Sequence, residues 1–412
     1  MHSYHIEGIE INPEAEILRN SILLQMKEHL LARNWQERQC MTCSRVFFAK
    51  SKSENGLCGR YECNGDEFLK QPPRKNIITP RDLAKSLSSY FEQKKYSIVK
   101  PISVVSQHGN NLFVGTAGQH FDPVIHKDGP IDTIPIFVTQ PVIRLQSEPI
   151  VAKTEGFSTS FVNTSTEHLQ ATPSEHLAHV EDWLTAISNL GIYVGNITIQ
   201  LKKDDPDWGN GTFTDAVMSF YYKGLELAYA NYFIDVPQQN RDAVSISDIS
   251  FGLERILWAL NKTPSYFQII GPLHVSVNKQ RHKELDSIRT AVLMTGSGVE
   301  PGHRDRGSKL RIFSRYIARS GQEFPESLIR YFYEWWSQFS PLLHNEARVI
   351  HSMKNEWSRT INLKLQQTLG APNDIPVEMM PDAYIHILVQ RGITLQKITA
   401  LLQSHLSSHE YS

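Results

Sequence analysis

The 412-residue sequence lacks several features that would assign it to a specialised class of protein. It has no apolar run near the eighteen or so residues that a membrane helix needs, so no membrane partner is expected. The formal net charge is −1, and nothing global draws the chain to nucleic acid. Residues 1–30 are charged throughout and lack the apolar core of a signal peptide. These absences predict a cytoplasmic globular protein of two or three domains.

Cysteine is also scarce, and all four cysteines lie in one stretch, at Cys40, Cys43, Cys58 and Cys63. Their spacing is C-x2-C, fourteen residues, then C-x4-C. Two close pairs joined by a loop let four thiolates converge on one tetrahedral ion, and Zn²⁺ prefers that arrangement. Disulfide bonds are the alternative, which a cytoplasmic location disfavours. We predict a structural Zn²⁺, because four cysteine ligands leave no open position for a catalytic water.

Hydrophobic patterning divides the chain into four parts and predicts an α+β fold. Residues 1–35 contain an amphipathic helix, and residues 36–72 form the cysteine module. Residues 73–270 carry short β-rich runs separated by turns, which predicts a mainly antiparallel sheet with helices against it. Residues 271–412 have almost no strand pattern and read as a chain of amphipathic helices. We therefore predict a catalytic sheet domain followed by an all-helical domain.

Basic residues are concentrated at the start of the helical part. Between positions 279 and 319 there are ten lysines and arginines against four acids, in a chain whose net charge is −1. Most such runs are solvated helix faces. Here arginines recur at Arg304, Arg311, Arg315 and Arg319, a spacing that lets several of them share one side of a helix and bind phosphates. We favour contact with a nucleic acid.

Several stretches in the right order resemble one family, the alanyl-tRNA synthetases. "TQPVIRLQ" (139–146) resembles the second class II motif, and "SDISFGLERI" (247–256) resembles the third. "YYKGLELA" (221–228) closely matches a Tyr-Arg-Gly-Leu-Glu-Leu-Ala segment of the family, and "GQHFDPVI" (118–125) stands where the family has Phe-Gln-Pro. The cysteine module resembles the one at the front of the archaeal form. The resemblance runs from about residue 35 to at least residue 320.

This resemblance implies a class II antiparallel sheet and the activation of an amino acid by ATP. By resemblance, Arg144 would meet the ATP α-phosphate, Arg255 would lie under the phosphates, and Asp248 would hold the substrate α-ammonium. Gly252 would let the backbone approach the nucleotide. Two aromatic residues would line the adenine or amino-acid pocket, Phe121 and Trp208. Mg²⁺ is expected wherever ATP phosphates are handled.

The resemblance also implies that the helical part, residues 271–412, recognises tRNA. "VEPGHRDRGSKLRIFSRYIA" (299–318) resembles the stretch that opens the tRNA-recognition helices of the family. The residues that would contact tRNA are His303, Arg304, Arg306, Arg311 and Arg315. Nothing after residue 412 corresponds to the editing or C-terminal domains of the family, so we expect a chain with the activating and tRNA-binding core alone.

Each of these residues also has a plain structural interpretation. Arg144 would then form a salt bridge at the rim, and Asp248 would be the N-cap of the following helix. Glu254 and Arg255 would be an ordinary charged pair at a helix start. Phe121 and Trp208 would belong to the core.

The sequence departs from the family pattern at four places. Phe157 stands where the family has a histidine, and Val162 where it has a glutamate. A Gly-rich segment is reduced to "DWGNGTFTD" (207–215), and His303 replaces an asparagine tied to reading the acceptor stem of alanine tRNA. These changes leave the amino acid open and put recognition of the usual alanine tRNA most in doubt.

Three functional hypotheses follow. The first is a ligase that activates alanine or another small amino acid and transfers it to tRNA. The second is a paralogue that passes the activated amino acid to a carrier protein or small molecule. The third is a non-catalytic protein that binds tRNA or another partner. A homodimer is possible, because class II cores often pair through their first motif.

Overall fold

The computed structural model describes residues 13–108, 111–127, 129, 131–151, 153–204, 214–238, 242–272, 279–320, 323–370 and 374–407. These residues form a sheet with helices against it, followed by a wholly helical C-terminal part. The predicted α+β class is therefore confirmed, and so is the mainly antiparallel sheet. None of the described helices has the length and hydropathy to cross a membrane.

The sheet has nine described strands, which are β1 (Trp35–Gln39), β2 (Val46–Lys50), β3 (Ser97–Ile98), β4 (Ile136–Ile143), β5 (Ser160–Leu169), β6 (Ile197–Asp204), β7 (Asp215–Tyr222), β8 (Leu225–Val236) and β9 (Val244–Gly252). Their order in the sheet is β1-β2-β6-β7-β8-β9-β5-β4-β3. All neighbours are antiparallel except β3 and β4, which are parallel.

The helices of the described residues fall into two groups, those that surround the sheet and those that follow it. The first group is α1 (Pro13–Ala32), α2 (Tyr61–Asn64), α3 (Pro80–Gln93), α4 (Asp122–Lys127), α5 (Glu148–Val151), α6 (Pro173–Leu190), α7 (Leu253–Asn261) and α8 (Phe267–Ile270). The second group is α9 (Lys279–Gly296), α10 (Asp305–Ser320), α11 (Glu326–Ser337), α12 (Glu346–Leu369), α13 (Pro381–Gln390) and α14 (Leu395–Ser407). Short 3-10 turns cover Glu67–Lys70, Ala117–Phe121, Leu145–Ser147 and Val194–Asn196.

Local sequence signals explain where the main helices begin and end. The helix α6 begins with a capping box, in which Thr172 and Glu175 satisfy each other's backbone N–H groups, and Pro173 occupies the first turn. It ends at Gly191, whose φ of 110° is the left-handed conformation that favours glycine. Thr79 caps α3 in the same way, by accepting a hydrogen bond from the backbone N–H of Asp82.

Two central strands, β5 and β9, were not predicted as strands from the patterning. Both are rich in polar residues on both faces, as "SFVNTSTEHL" in β5 shows. "SISDISFG" of β9 appears from the sequence to be the approach to a helix, yet it is paired on both sides, with β5 and with β8. Buried polar strands lack the alternation of apolar and polar residues that identifies a half-buried strand. Their polarity follows from the site that they line.

One continuous hydrophobic core joins the sheet, the flanking helices and the helices α9 to α12. The end of α12 forms a second, smaller core with α13 and α14, built from Leu365, Ile375, Tyr384, Leu388 and Ile398. The start of the helical part therefore packs directly on the sheet, while its last helices have a core of their own.

Candidate active site

One face of the sheet carries the predicted site residues. In antiparallel pairs, directly opposite residues point to the same side, and so do every second residues along a strand. Asp248 of β9 lies opposite Glu167 of β5 and Asn231 of β8. The loop and 3-10 turn around Thr116 lie over this face, because the hydroxyl of Thr116 donates to Asp248. The face is therefore polar and covered at one end.

Arg144 follows the last residue of β4 and is half-buried. Its Nε donates to the backbone oxygen of Gly115 at 2.7 Å, and its guanidinium lies 5.1 Å from the ring centre of Phe161. Burial lowers the pKa of Arg144, while the charge of Asp248 raises it and that of Arg255 lowers it. Arg144 is thus close enough to Asp248 and to Arg255 for both charges to act on it. No ion pair in the described residues involves Arg144, so the rim salt bridge is not seen.

Asp248 lies in the middle of β9 and is 2% exposed. It is not an N-cap, because the residue that caps α7 is Gly252. Its carboxylate accepts hydrogen bonds from the hydroxyls of Ser250 and, at 3.4 Å, Thr116, and the Ser165 hydroxyl lies 3.4 Å away. Burial raises its pKa, while Ser250, Glu167, the charge of Arg144 and Ser165 lower it. A buried carboxylate surrounded by hydroxyl groups is suited to receive an ammonium group.

Glu167, the neighbour of Asp248 on β5, was not identified from the sequence. It is fully buried, and its Oε1 accepts a hydrogen bond from Ser165 at 2.6 Å. Its Oε2 has no hydrogen-bond partner among the described residues. Burial, followed by the charge of Asp248, raises the pKa of Glu167 well above its usual range. No sequence signal marks this residue, because only the strand pairing brings it beside Asp248.

Glu254 and Arg255 are adjacent in sequence but do not form a pair. Glu254 is fully buried, accepts from the backbone N–H of Val162 at 3.1 Å and forms an ion pair with Arg289 of α9. Arg255 points the other way, toward β8. The glutamate therefore connects the sheet to the helical part, and the arginine belongs to the site.

Arg255 is held by polar and aromatic contacts together. Its Nε donates to the backbone oxygen of Gly156 at 3.0 Å, and its Nη1 donates to that of Glu226 at 2.9 Å. The Glu226 carboxylate lies 3.4 Å from Nη1 and also accepts from the hydroxyl of Tyr229. The ring centre of Phe157 is 4.9 Å from the guanidinium. Phe157, which replaces the family's histidine, thus supports Arg255 by a cation–π contact.

The structure does not test the nucleotide or amino-acid contacts predicted for Phe121, Gly252 and Trp208. Phe121 is buried in a small hydrophobic cluster with Leu169 and Ile246, and its adenine role stays a prediction. A Cβ on Gly252 would meet only the Arg255 side chain, at 3.6 Å, so the backbone itself does not require glycine there. Its approach to a nucleotide also stays a prediction. Trp208 lies outside the described residues.

The basic run of residues 279–319 is divided between the interior and the surface. Arg289 is fully buried, lies 4.6 Å and 4.2 Å from the ring centres of Trp335 and Trp336, and pairs with Glu254. This arginine cannot contact a nucleic acid. Arg306 donates from Nε to the backbone oxygen of Leu112 at 2.7 Å, so it connects α10 to the loop beside the sheet.

The remaining predicted tRNA contacts lie at or near the surface. His303, Arg304 and Arg315 are exposed, and Arg311 forms an ion pair with Glu356 of α12 at 3.2 Å. Between α10, α12, α13 and α14 is a cavity of about 780 Å³, which we call the helical groove. It is lined on its basic side by His303, Arg311, Arg315, Arg319, Arg359 and Lys364. Arg144 and Asp248 do not line it, so it is separate from the sheet site.

The four cysteines meet at the edge of the sheet. Their sulfur atoms all lie within 4.8 Å of one another, and those of Cys43 and Cys58 are 3.8 Å apart. Gly59 has a φ of 84°, and a Cβ there would lie 2.1 Å from the Thr198 hydroxyl of β6, so only glycine fits. The donor set and its compactness fit a tetrahedral Zn²⁺.

Comparison with known proteins gives one consistent result. No family model matches the chain. The alanine–tRNA ligase of Thermoplasma acidophilum is 24% identical over 269 residues, which are 60% of this chain and 30% of the relative. That of Sulfurisphaera tokodaii is 25% identical over 311 residues, 70% of this chain and 34% of the relative. The chain is similar to archaeal alanine–tRNA ligases, and it spans about a third of their length.

Solved structures similar to the chain include two of pyrrolysyl-tRNA synthetase from Desulfitobacterium hafniense. One is 14% identical with a TM-score of 0.32, and covers 46% of this chain and 69% of that one. The other is 12% identical with a TM-score of 0.32, and covers 66% of this chain and 88% of that one.

Proposed function

We propose that this protein activates an amino acid with ATP as an aminoacyl-adenylate and transfers the aminoacyl group to a tRNA. The observation that carries the proposal is a buried carboxylate, Asp248, on a polar face of the sheet, with Arg144 close enough for the two charges to act on each other. Arg255 is in turn close enough for its charge to act on Arg144. The similarity to alanine–tRNA ligases supports the same reaction class.

The reaction joins two anions, so the enzyme must neutralise charge and position both reactants. An oxygen of the substrate carboxylate bonds to the α-phosphorus of ATP, and the bond from that phosphorus to the pyrophosphate oxygen breaks. Arg144 would bind the substrate carboxylate and the α-phosphate as they approach. Arg255 would bind the departing phosphates, and Asp248 would hold the α-ammonium. Mg²⁺, when bound, would neutralise phosphate charge, with most of its ligands coming from the nucleotide and water.

A tRNA acceptor is supported by the helical groove. The groove is lined by six cationic or titratable residues and by two acids, Glu356 and Asp382. Arginine and lysine in this arrangement bind the phosphates of a nucleic acid backbone. The groove lies beside α10, where the sequence resembles the tRNA-recognition helices of the family. A cytoplasmic location fits this function and stays a prediction.

Amino-acid-dependent exchange of pyrophosphate into ATP tests the activation step. We expect exchange with at least one small amino acid, and an Arg144→Ala variant should lose about 10²- to 10³-fold in rate, as enzymes do when one donor to a developing charge is removed. Absence of exchange with every amino acid would refute activation and leave a binding function.

Charging of total tRNA tests the acceptor. We expect aminoacylated tRNA to form in the presence of ATP and the amino acid that supports exchange. Exchange without charged tRNA would contradict the tRNA acceptor. It would favour the alternative in which a carrier protein or a small molecule receives the amino acid.

We also propose that Cys40, Cys43, Cys58 and Cys63 hold a structural Zn²⁺. The compact sulfur cluster supports this, and a site closed by four thiolates supplies no catalytic water. Metal analysis of the purified protein should give about one Zn²⁺ per chain, and a Cys63→Ser variant should lose it.

A further inference from the structure

The floor of the proposed amino-acid site contains two carboxyl groups side by side. Glu167 and Asp248 are direct partners across β5 and β9, so their side chains leave the sheet on the same face. Both are at least nine-tenths buried, at 0% and 2% exposed. A single carboxylate suffices to bind one α-ammonium group. The second carboxyl group needs its own explanation, because burying an unsatisfied polar group is costly.

The donors around this pair satisfy three of its four oxygens. Ser165 donates to Glu167 Oε1, Ser250 to Asp248 Oδ1, and Thr116 to Asp248 Oδ2. Glu167 Oε2 is buried, and no hydroxyl or N–H group of the described residues donates to it. The hydrogen bond open to it is the one between the carboxyl groups of Glu167 and Asp248, which needs a shared proton. A second amine in the proposed substrate site could replace that proton.

Charge points to the kind of group that this acceptor would receive. Arg144 is the cation that acts on Asp248, and its guanidinium is assigned to the substrate carboxylate and phosphate. Burial and Asp248 raise the pKa of Glu167, so the pair shares one proton when no second cation is near. A substrate with two ammonium groups would replace the shared proton and let both carboxyl groups ionise.

We propose that the amino-acid site is built for a small diamino acid, whose α-ammonium binds Asp248 and whose second amine binds Glu167. This rests on the proposed activation function and specifies its substrate class. Directly opposed residues have Cβ atoms about 4.5–5.5 Å apart, so the two amines must lie only a few ångströms apart. That spacing fits a second amine on the third or fourth carbon of the substrate.

The test compares a matched pair of substrates in pyrophosphate exchange, L-2,4-diaminobutanoate and L-2-aminobutanoate, which differ only in the second amine. We expect kcat/KM to be about 10- to 100-fold higher for the diamino acid, the range expected for one hydrogen bond to a charged group. A Glu167→Gln variant, which keeps the shape and removes the charge, should lose this preference. L-alanine and L-serine complete the panel.

Asp215→Asn provides the matched control. Asp215 is a buried acid of the same sheet, on β7, and burial raises its pKa well above its usual range. Its removal takes one carboxyl group from the sheet without touching the proposed amine contact. The preference for the diamino acid should therefore persist in this variant. Equal loss of the preference in both variants would indicate a general electrostatic effect of removing a buried carboxyl group. That result would overturn the proposed contact.

Calorimetric binding of the same two ligands, without ATP, separates failure of this inference from failure of the proposed function. Exchange with L-alanine or L-2-aminobutanoate at rates equal to or above that of the diamino acid would overturn the inference and leave activation intact. Selective binding of the diamino acid that Glu167→Gln abolishes, without any exchange, would refute activation and keep the pocket assignment. Neither binding nor exchange would overturn both.

Discussion

The first two helices of the helical part, α9 and α10, use arginine in opposite ways. In α9, Arg289 is fully buried between Trp335 and Trp336 and pairs with Glu254 of the sheet. In α10, Arg315 and Arg319 are exposed beside the helical groove. The sequence places all three in one basic run, yet one stabilises the contact between helix and sheet and the others are available to a ligand. Burial, rather than charge density, separates the arginine that connects helix and sheet from those that are accessible to a ligand.

The largest effect is expected from Arg289→Met. The substitution leaves the Glu254 carboxylate buried without its partner, and breaking a buried ion pair costs about 3–5 kcal/mol. Urea unfolding should show a loss of this size. Arg315→Met, the matched change on the exposed side, should lie within about 0.5 kcal/mol of the wild type. Similar losses in both variants would show that the two arginines do not differ as the structure indicates.

Arg255→Ala tests the arginine of the sheet site. We expect pyrophosphate exchange to fall about 10²- to 10³-fold, because the cation that we propose for the ATP phosphates is removed. Arg348→Ala is the control, since Arg348 is exposed on α12 and pairs only with Glu300 at 3.2 Å in the described residues. If the Arg255 variant exchanged normally, the nucleotide site would lie elsewhere.

The dependence of stability on pH should differ between the start of the helical part and the region near α13. Asp286 of α9 is buried and accepts from Thr159 N and Oγ1 at 2.7 Å and 2.6 Å, and burial raises its pKa to about 6. The folded state therefore keeps the proton longer than the unfolded state, so this group stabilises at low pH. Its contribution falls as pH rises from about 4 to 6, by up to about 3 kcal/mol.

Asp286→Asn should remove this part of the pH dependence in urea unfolding followed from pH 4 to pH 7. The matched control is Asp374, an exposed acid that pairs with Arg391 near α13. The hydrogen bond from Arg391 lowers the pKa of Asp374, so its contribution has the opposite sign and is lost as pH falls. A wild type and an Asp286→Asn variant with parallel pH profiles would disprove the effect.

The smallest effect is expected at the helical groove. Replacing Arg315 and Arg319 together by alanine should weaken tRNA binding about tenfold at low salt and reduce the slope of log affinity against log salt by about two. Filter binding across a salt series measures both quantities. Lys397→Ala on α14 removes an exposed charge that does not line the groove and should leave the slope unchanged. A common slope for all three proteins would exclude the groove as the tRNA surface.

Much of the fold was predictable from local signals. The helices α3, α6, α10, α11 and α13 follow amphipathic patterns, and caps such as Thr172 mark where they begin. The helix α1 exists as predicted but without the expected apolar face, because Ile17 and Leu18 are exposed and Arg19 is buried. The cysteine spacing predicted a compact cluster, which the structure has. The strands β5 and β9 escaped prediction because their residues are polar on both faces. Their burial results from pairing on both sides, which no local window contains.

The site was predictable only in part, and for the same reason. The motifs identified Arg144, Asp248 and Arg255 without the neighbours that surround them. Phe157 and Phe161 stack on the two arginines because the strand order brings them there. Glu167 has no motif, and its importance follows from the register that sets it opposite Asp248.

The sequence by itself determined most of the helices, the cysteine cluster and the charged residues from which a site can be built. Helix caps, periodicity and residue spacing act over a few residues, so they can be read along the chain. Only the tertiary structure decided that Glu254 and Arg255 contact different parts of the molecule and that Arg289 is buried in an ion pair. It also decided that Glu167 lies opposite Asp248. These outcomes depend on burial and on strand register, which are set by contacts between segments far apart in the sequence.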